Sequence, residues 1–200
     1  MSDLSDPPLT PAEARRRMPS LDLIDDDDIR AETRRLTQYA PAYFWERPGS
    51  TAGYHNAHRH GLWAHTLKLS TVIERNADSY TERGLLRDPL DVDRAHAIAI
   101  LHDQRKSGED GEATQSDHDW WMGGVVRQES ELGEAVARAI ESHMGPWNDG
   151  PEPSSTLAEL VHVADMVASD DNVEIALPGP VPEELEAHGY EEADLRPLDD

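Results

Sequence analysis

The stretch with the clearest chemical potential is an apolar run that ends in a histidine, a carboxylate and an amine. It runs through Ala97–Leu101 into His102 and Asp103, and Lys106 follows. Imidazole nitrogen and carboxylate oxygen are common ligands for divalent metals, and a buried helix that ends in polar groups is costly unless something binds them. Lys106 could pair with a phosphate that such a metal also holds. A His-Asp pair alone also fits a helix cap or a surface pair, so the rest of the chain must decide.

Four more candidate ligands occur on or beside other predicted helices. His65 lies on an apolar helix face, where a core histidine without a ligand role is the alternative, and His118 and His143 lie near a helix start and a helix end. Asp165 falls in the middle of the most apolar helix. A buried ionised carboxylate needs a partner. That partner is either His162, one turn earlier, or a metal.

The elements that must position these side chains are all helices. Apolar residues recur at three- and four-residue spacing, and no strand pattern or internal repeat is visible. Thr10 with Glu13, and Thr156 with Glu159, predict helix starts of the capping-box type. Glycines 123 and 124, inside one helix, predict close packing of another backbone.

The sequence predicts an all-α helical bundle with disordered acidic termini. Residues 1–20 are expected to form a tail with a short helix, residues 21–176 the helical domain, and residues 177–200 an acidic tail. Residues 39–50, rich in aromatic residues and proline, are expected to pack on the core as a connector.

Composition excludes several classes of chemistry. The 200 residues contain no cysteine, so disulfides, thiolate zinc sites and a cysteine nucleophile are excluded. No apolar run approaches the length of a membrane span, and the N-terminus lacks the regions of a signal peptide, so we expect a cytoplasmic protein without membrane contact.

The charge balance is strongly acidic. There are 41 acidic and 18 basic residues, a formal net charge of −23, and Lys68 and Lys106 are the only lysines. Such surfaces resemble those of proteins from halophilic archaea or their viruses, where molar salt screens self-repulsion. The acidity argues against tight non-specific binding to a nucleic-acid backbone, but it does not exclude a nucleic-acid substrate.

The order of the candidate ligands resembles the HD-domain metal-dependent phosphohydrolase superfamily, whose signature is H…HD…D on an all-α fold. The resemblance covers about residues 40 to 170. The local matches are Gly61–Thr66, Leu101–Lys106, Ser142–Gly145 and Val163–Met166. Within the superfamily, Phe44–His58 is most similar to HD-type 3′–5′ exoribonucleases, although nothing in the printed sequence predicts their additional nucleic-acid-binding domain.

Two departures from the family pattern stand close to the site. Gln104 and Arg105 replace the usual small apolar residue and glycine, and Met144 stands where many members have a second histidine. The second departure leaves the number of ions open. The resemblance implies one ion or two, of Mn, Fe, Co, Ni, Zn or Mg. The ligands of a single ion would be His65, His102, Asp103 and Asp165; a second would add His118 and His143.

The resemblance also implies a reaction. Asp103 would bridge two ions or orient a water, and Lys106, with Arg59 binding the substrate, would neutralise charge on phosphate oxygens. We expect hydrolysis of a phosphate ester in a nucleotide or nucleic acid, by a phosphodiesterase or 3′–5′ exonuclease-like activity. The alternatives are a 5′-nucleotidase or nucleotide triphosphohydrolase, and a non-catalytic signalling or structural protein with an HD core. The expected partner is a phosphorylated small molecule or nucleic acid, and a homodimer stays open.

Overall fold

The computed structural model describes residues 7–50, 56–108, 111, 113–145 and 150–195, and within these ranges the chain is helical. The helices are α1 (Pro11–Arg17), α2 (Asp27–Thr37), α3 (Ala42–Glu46), α4 (Gly61–Glu82), α5 (Asp91–Leu101), α6 (His118–Glu129), α7 (Glu134–Glu141), α8 (Thr156–Ala168) and α9 (Glu183–Glu186), with a 3₁₀ helix at Pro19–Leu23. The described ranges contain no strand beyond an isolated bridge between Leu177 and Glu192. The predicted all-α fold is confirmed.

Helix α4 lies at the centre of the bundle. Every residue from Gly61 to Ile73 is buried, and the helix packs on both α5 and α8. At Gly61 a Cβ atom would lie 1.8 Å from the carbonyl oxygen of Asn56. Only glycine therefore lets the preceding loop approach the start of α4 so closely.

Helix starts agree with the sequence in part. The capping box of Thr10 and Glu13 opens α1 as predicted. The N-cap of α8 is Ser155, whose side chain accepts a hydrogen bond from the backbone of Ala158, so the predicted Thr156 box was wrong by one residue. Serine and threonine are both good N-caps. Because Ser155 and Thr156 are adjacent, the sequence alone does not show which of them is the N-cap.

The aromatic connector packs on the core, as predicted. Phe44 is fully buried and Trp45 nearly so, and the Trp45 ring meets Trp63 of α4 edge to face with 5.3 Å between centroids. The short helix α3 thereby attaches residues 42–46 to the start of α4. Residues 51–55, which belong to the Phe44–His58 stretch that resembles exoribonucleases, lie outside the described residues.

Both terminal segments join the core where the structure describes them. Ala14 and Met18 are fully buried, and so are Leu177 and Leu185, while Ala193 is 8% exposed. In the described residues, packing is therefore continuous across positions 20 and 176, where the sequence predicted domain boundaries. The acidic residues and prolines of residues 177–195 concealed the few apolar side chains that attach this segment to the core. The outermost parts of the predicted tails, residues 1–6 and 196–200, lie outside the described residues.

Candidate metal centre

The His-Asp pair lies where α5 ends. His102 is the C-cap of α5, so the backbone begins to turn at Asp103 and both side chains can face one point. His65 comes from α4 and Asp165 from α8. These two helices pack on each other, and both pack on α5. The packing of these three helices brings the four side chains to one place in the fold.

His65, His102 and Asp103 bring one ligand atom each within 4.8 Å of one another. With Asp165, which lies beside His65 and His102, they form the first ligand group. His65 Nε2 lies 2.9 Å from Asp165 Oδ1. His102 Nε2 lies 3.6 Å from Asp103 Oδ2 and 4.0 Å from Asp165 Oδ1. Two atoms that each lie about 2.0–2.2 Å from one ion are at most about 4.4 Å apart, so these distances fit a shared ion.

The second ligand group uses the other oxygen of the same carboxylate, together with His118 and His143. Asp103 Oδ1 lies 3.1 Å from His118 Nε2 and 3.7 Å from His143 Nε2. All three side chains are buried, with Asp103 only 1% exposed. Asp103 thus stands between the groups, with one oxygen toward each.

The ring orientation of three histidines leaves a nitrogen lone pair toward the centre. The Nδ1 atoms of His102, His118 and His143 each lie 2.7 Å from a backbone carbonyl oxygen. A carbonyl only accepts hydrogen bonds, so Nδ1 carries the proton and Nε2 of the neutral ring is a lone pair. All three Nε2 atoms and Asp103 Oδ1 are buried and make no well-formed hydrogen bond, although His118 Nε2 lies 3.1 Å from that oxygen.

Such a set of buried acceptors is unfavourable unless a cation lies among them. A second hydrogen bond from the ring to a backbone carbonyl is also the usual support of a metal-binding histidine. The donor set, with nitrogen and oxygen but no sulfur, suits Mn²⁺, Fe²⁺, Co²⁺, Ni²⁺ or Zn²⁺. The residues present therefore fit a divalent metal.

Electrostatics favour ligands in their metal-binding form. Burial lowers the pKa of His102, and it lowers the pKa of His143 to about 3. Burial alone would raise the pKa of Asp103, but Lys106 and His102 outweigh it and hold this carboxyl well below its usual range. In His118, burial is outweighed by the neighbouring Asp103, and the pKa is raised. These shifts in pKa favour an ionised Asp103 and neutral imidazoles at His102 and His143.

Lys106 contacts the centre directly, whereas Arg59 does not. The Lys106 ammonium donates to Asp103 Oδ2 over 2.6 Å. The nearby acidic residues Glu109 and Asp110, with which a surface lysine at this position could instead pair, lie outside the described residues. Arg59 is exposed, lies 3.4 Å from Glu46 and lines a separate pocket with Glu184 of α9 and His188. The structure does not bring Arg59 to the ligand groups, because the turn before α4 faces the C-terminal segment. Its substrate-binding role stays a prediction.

Two further histidines have other partners. His162 does not pair with Asp165. Its Nδ1 donates to the backbone oxygen of His143 over 2.6 Å, which supports the segment after α7. Sequence analysis missed this role because the contact joins residues far apart in the chain. His96 is fully buried and pairs with Glu74 of α4 over 2.9 Å.

The structure is an all-α bundle that gathers buried histidines and aspartates around a shared carboxylate, an arrangement that can hold metal ions. The HD domain matches residues 62–170, more than half of the chain, and the chain therefore belongs to the HD domain family, which consists of metal-dependent phosphohydrolases. Searches of curated proteins and of solved structures found no match. Among the described helices, none has the length and apolar character needed to cross a membrane.

Proposed function

We propose that the protein is a two-ion phosphohydrolase that cleaves a phosphate ester of a nucleotide or a nucleic-acid end as a phosphodiesterase or 3′–5′ exonuclease-like enzyme. The observation that carries the proposal is the position of Asp103, whose two oxygens face two separate ligand groups. A mononuclear site would leave the buried Nε2 atoms of His118 and His143, which face Asp103 Oδ1, without an ion. Many family members have a second histidine where this chain has Met144. That histidine is not needed for the proposed second ion, because His143 completes the second ligand group.

The first ligand group would hold one ion and the second ligand group the other, with Asp103 common to both. A divalent ion supplies Lewis-acid polarisation of a phosphoryl group and makes hydroxide available near neutral pH. The chain holds these ligands rigidly: three imidazoles are oriented by backbone carbonyls, and Asp165 is oriented by its contact with His65. Such support limits reorganisation during the reaction.

Lys106 is the proposed catalytic cation. Its ammonium already lies at the edge of the centre, 2.6 Å from Asp103, and its side chain is 18% exposed, so it is reachable from solvent. An ammonium has no lone pair and cannot be a metal ligand. It can neutralise charge that develops on the phosphoryl oxygens, an interaction of the size of about 3–4 kcal/mol in the transition state.

The family implies a phosphorylated substrate, and two features support a nucleotide or a strand end. One is the resemblance of Phe44–His58 to HD-type exoribonucleases. The other is the net charge of −23, which would repel a long polyanion and therefore favours a substrate that presents few phosphates. The cytoplasmic location, the halophilic source and the homodimer stay predictions.

Metal analysis of four purified proteins tests the two-ion centre. We expect about two ions in the wild type, about one in His118→Ala and in His143→Ala, and fewer in Asp103→Ala because both groups share that carboxylate. Unchanged stoichiometry in both histidine variants would show that the second ligand group holds no ion.

A substrate screen with Mn²⁺ then tests the reaction. We expect turnover of a phosphodiester, such as bis(p-nitrophenyl) phosphate or a short oligonucleotide. Turnover of nucleoside monophosphates or triphosphates alone would instead establish the nucleotidase or triphosphohydrolase alternative. A metal-loaded protein that turns over none of them would be the non-catalytic alternative.

A further inference from the structure

Side-chain hydrogen bonds join the turn that follows the His-Asp pair to residues 37–47, a segment that spans the end of α2 and all of α3. On its other side, the backbone N–H of Gln115 donates to the carbonyl of Lys106 over 2.9 Å. The Gln104 side chain donates to Thr37 Oγ1 over 3.1 Å, and the Arg105 guanidinium donates to the backbone oxygen of Tyr39 over 3.4 Å. These are the two residues that depart from the family pattern. Their side chains thus have partners that a small apolar residue and a glycine could not reach.

Tyr43 bonds the backbone of the turn at two points through a single hydroxyl. It donates to the backbone oxygen of Gly108 over 2.8 Å and accepts from the backbone N–H of Ser107 over 3.2 Å. Arg47, one turn further along, donates to the Ser107 hydroxyl over 2.8 Å. One side chain therefore satisfies a donor and an acceptor of the turn at once.

Lys106 is the exception in this turn. Each of the residues 104, 105, 107 and 108 is bonded to the 37–47 segment, whereas the Lys106 side chain reaches Asp103. The backbone N–H of Lys106 also bonds the carbonyl of Asp103. Residues 37–47 therefore bond the turn on the side away from Asp103, whereas the side chain of Lys106, the proposed catalytic cation, faces Asp103.

We propose that Tyr43 is a positioning residue that holds Lys106 at the metal centre by fixing the backbone of residues 104–108. The inference rests on the proposed function of Lys106. A lysine side chain is long and flexible, so its head group is placed accurately only if its backbone is fixed. Without the hydroxyl, the N–H of Ser107 and the carbonyl of Gly108 lose their partner, and the turn relaxes.

Replacing Tyr43 by phenylalanine isolates the hydroxyl. The ring itself fills the space beside Gly111, where a Cβ would lie 2.6 Å from a Tyr43 ring carbon, and phenylalanine keeps that packing. The matched control is Tyr80→Phe, since Tyr80 is a partly buried tyrosine of α4 that packs on the core and has no contact with residues 104–108 among the described residues.

Kinetics provide the first test, on the phosphodiester found by the screen. We expect Tyr43→Phe to lower kcat about ten-fold, a loss of about 1.4 kcal/mol, with metal content and KM unchanged, and Tyr80→Phe to behave as the wild type. In a Lys106→Met background, Tyr43→Phe should cause no further loss, because it acts through Lys106. The same ten-fold loss in both backgrounds, or no loss in the wild type, would overturn the proposal.

A second measurement needs no substrate. The chain has only two lysines, so ¹⁵N-lysine labelling gives two side-chain ammonium signals, and Lys106→Met identifies that of Lys106. We expect Tyr43→Phe to shift this signal and speed its proton exchange, and Tyr80→Phe to leave it unchanged. An unchanged Lys106 signal in Tyr43→Phe would refute the positioning role even if the substrate screen had found no activity. The positioning role and the proposed function can therefore fail separately.

Discussion

Replacing Lys106 by methionine should destabilise the metal-free protein far more than the metal-loaded one. Lys106 lies 2.6 Å from Asp103, whose side chain is 2% exposed, so the substitution leaves an ionised carboxylate buried without its ammonium. Removing one partner of a buried pair costs about 3–5 kcal/mol. The 18% exposure of the Lys106 side chain places the expected cost at the lower end, about 3 kcal/mol. For a chain of this size that corresponds to a fall of about 6–12 °C in Tm.

Thermal unfolding in a chelator and in saturating Mn²⁺ measures this difference. In Mn²⁺ the ion compensates the charge of Asp103, so the cost of Lys106→Met should shrink to below about 1 kcal/mol. Lys68→Met is the control. Lys68 is also buried, but its ammonium donates to the amide oxygen of Asn56 over 2.8 Å, so its cost should be the same in both conditions. An equal loss of Tm for Lys106→Met with and without metal would show that Asp103 is not a metal ligand.

Three further predictions concern stability. With a net charge of −23, Tm should rise between roughly 0.1 M and 2 M KCl as the Debye length falls; a flat or falling Tm would contradict the halophilic interpretation. Gly123→Ala should cost about 1–3 kcal/mol in urea unfolding, because its Cβ would lie 2.6 Å from Glu141 Cγ, whereas Gly124→Ala has no neighbour within 4 Å and should be neutral or stabilising. Ser155→Ala should cost about 1 kcal/mol by removing the N-cap of α8 and Thr156→Ala less; the reverse order would restore the sequence-based assignment of the cap.

The helices could be predicted because their signals are local. Apolar spacing placed α4, α5 and α8, and the cap of α1 follows from Thr10 and Glu13, which are neighbours in the chain. The glycine pair in α6 shows the limit of this reasoning. Gly123 faces Glu141 of α7 closely, whereas Gly124 has open space, and sequence alone could not distinguish them because it does not say which side of α6 meets α7.

The attachment of residues 177–195 was not predictable for a similar reason. Leu177 and Leu185 are fully buried, yet they lie in a segment rich in acidic residues and prolines. Burial of isolated apolar residues depends on a complementary surface elsewhere in the fold, and local composition carries no information about that surface.

The sequence by itself determined which side chains could bind a metal and that they lie on separate helices. Residue type sets ligand chemistry, and helical periodicity places residues such as His65 and Asp165 on apolar, inward faces. Only the tertiary structure determined which ligands belong to the first ligand group and which to the second. The two oxygens of Asp103 face different histidines because α5 ends between α4 and α8 on one side and the segments of His118 and His143 on the other. Tyr43 likewise reaches the turn of Lys106 only through packing, because its partners lie more than sixty residues away in the chain.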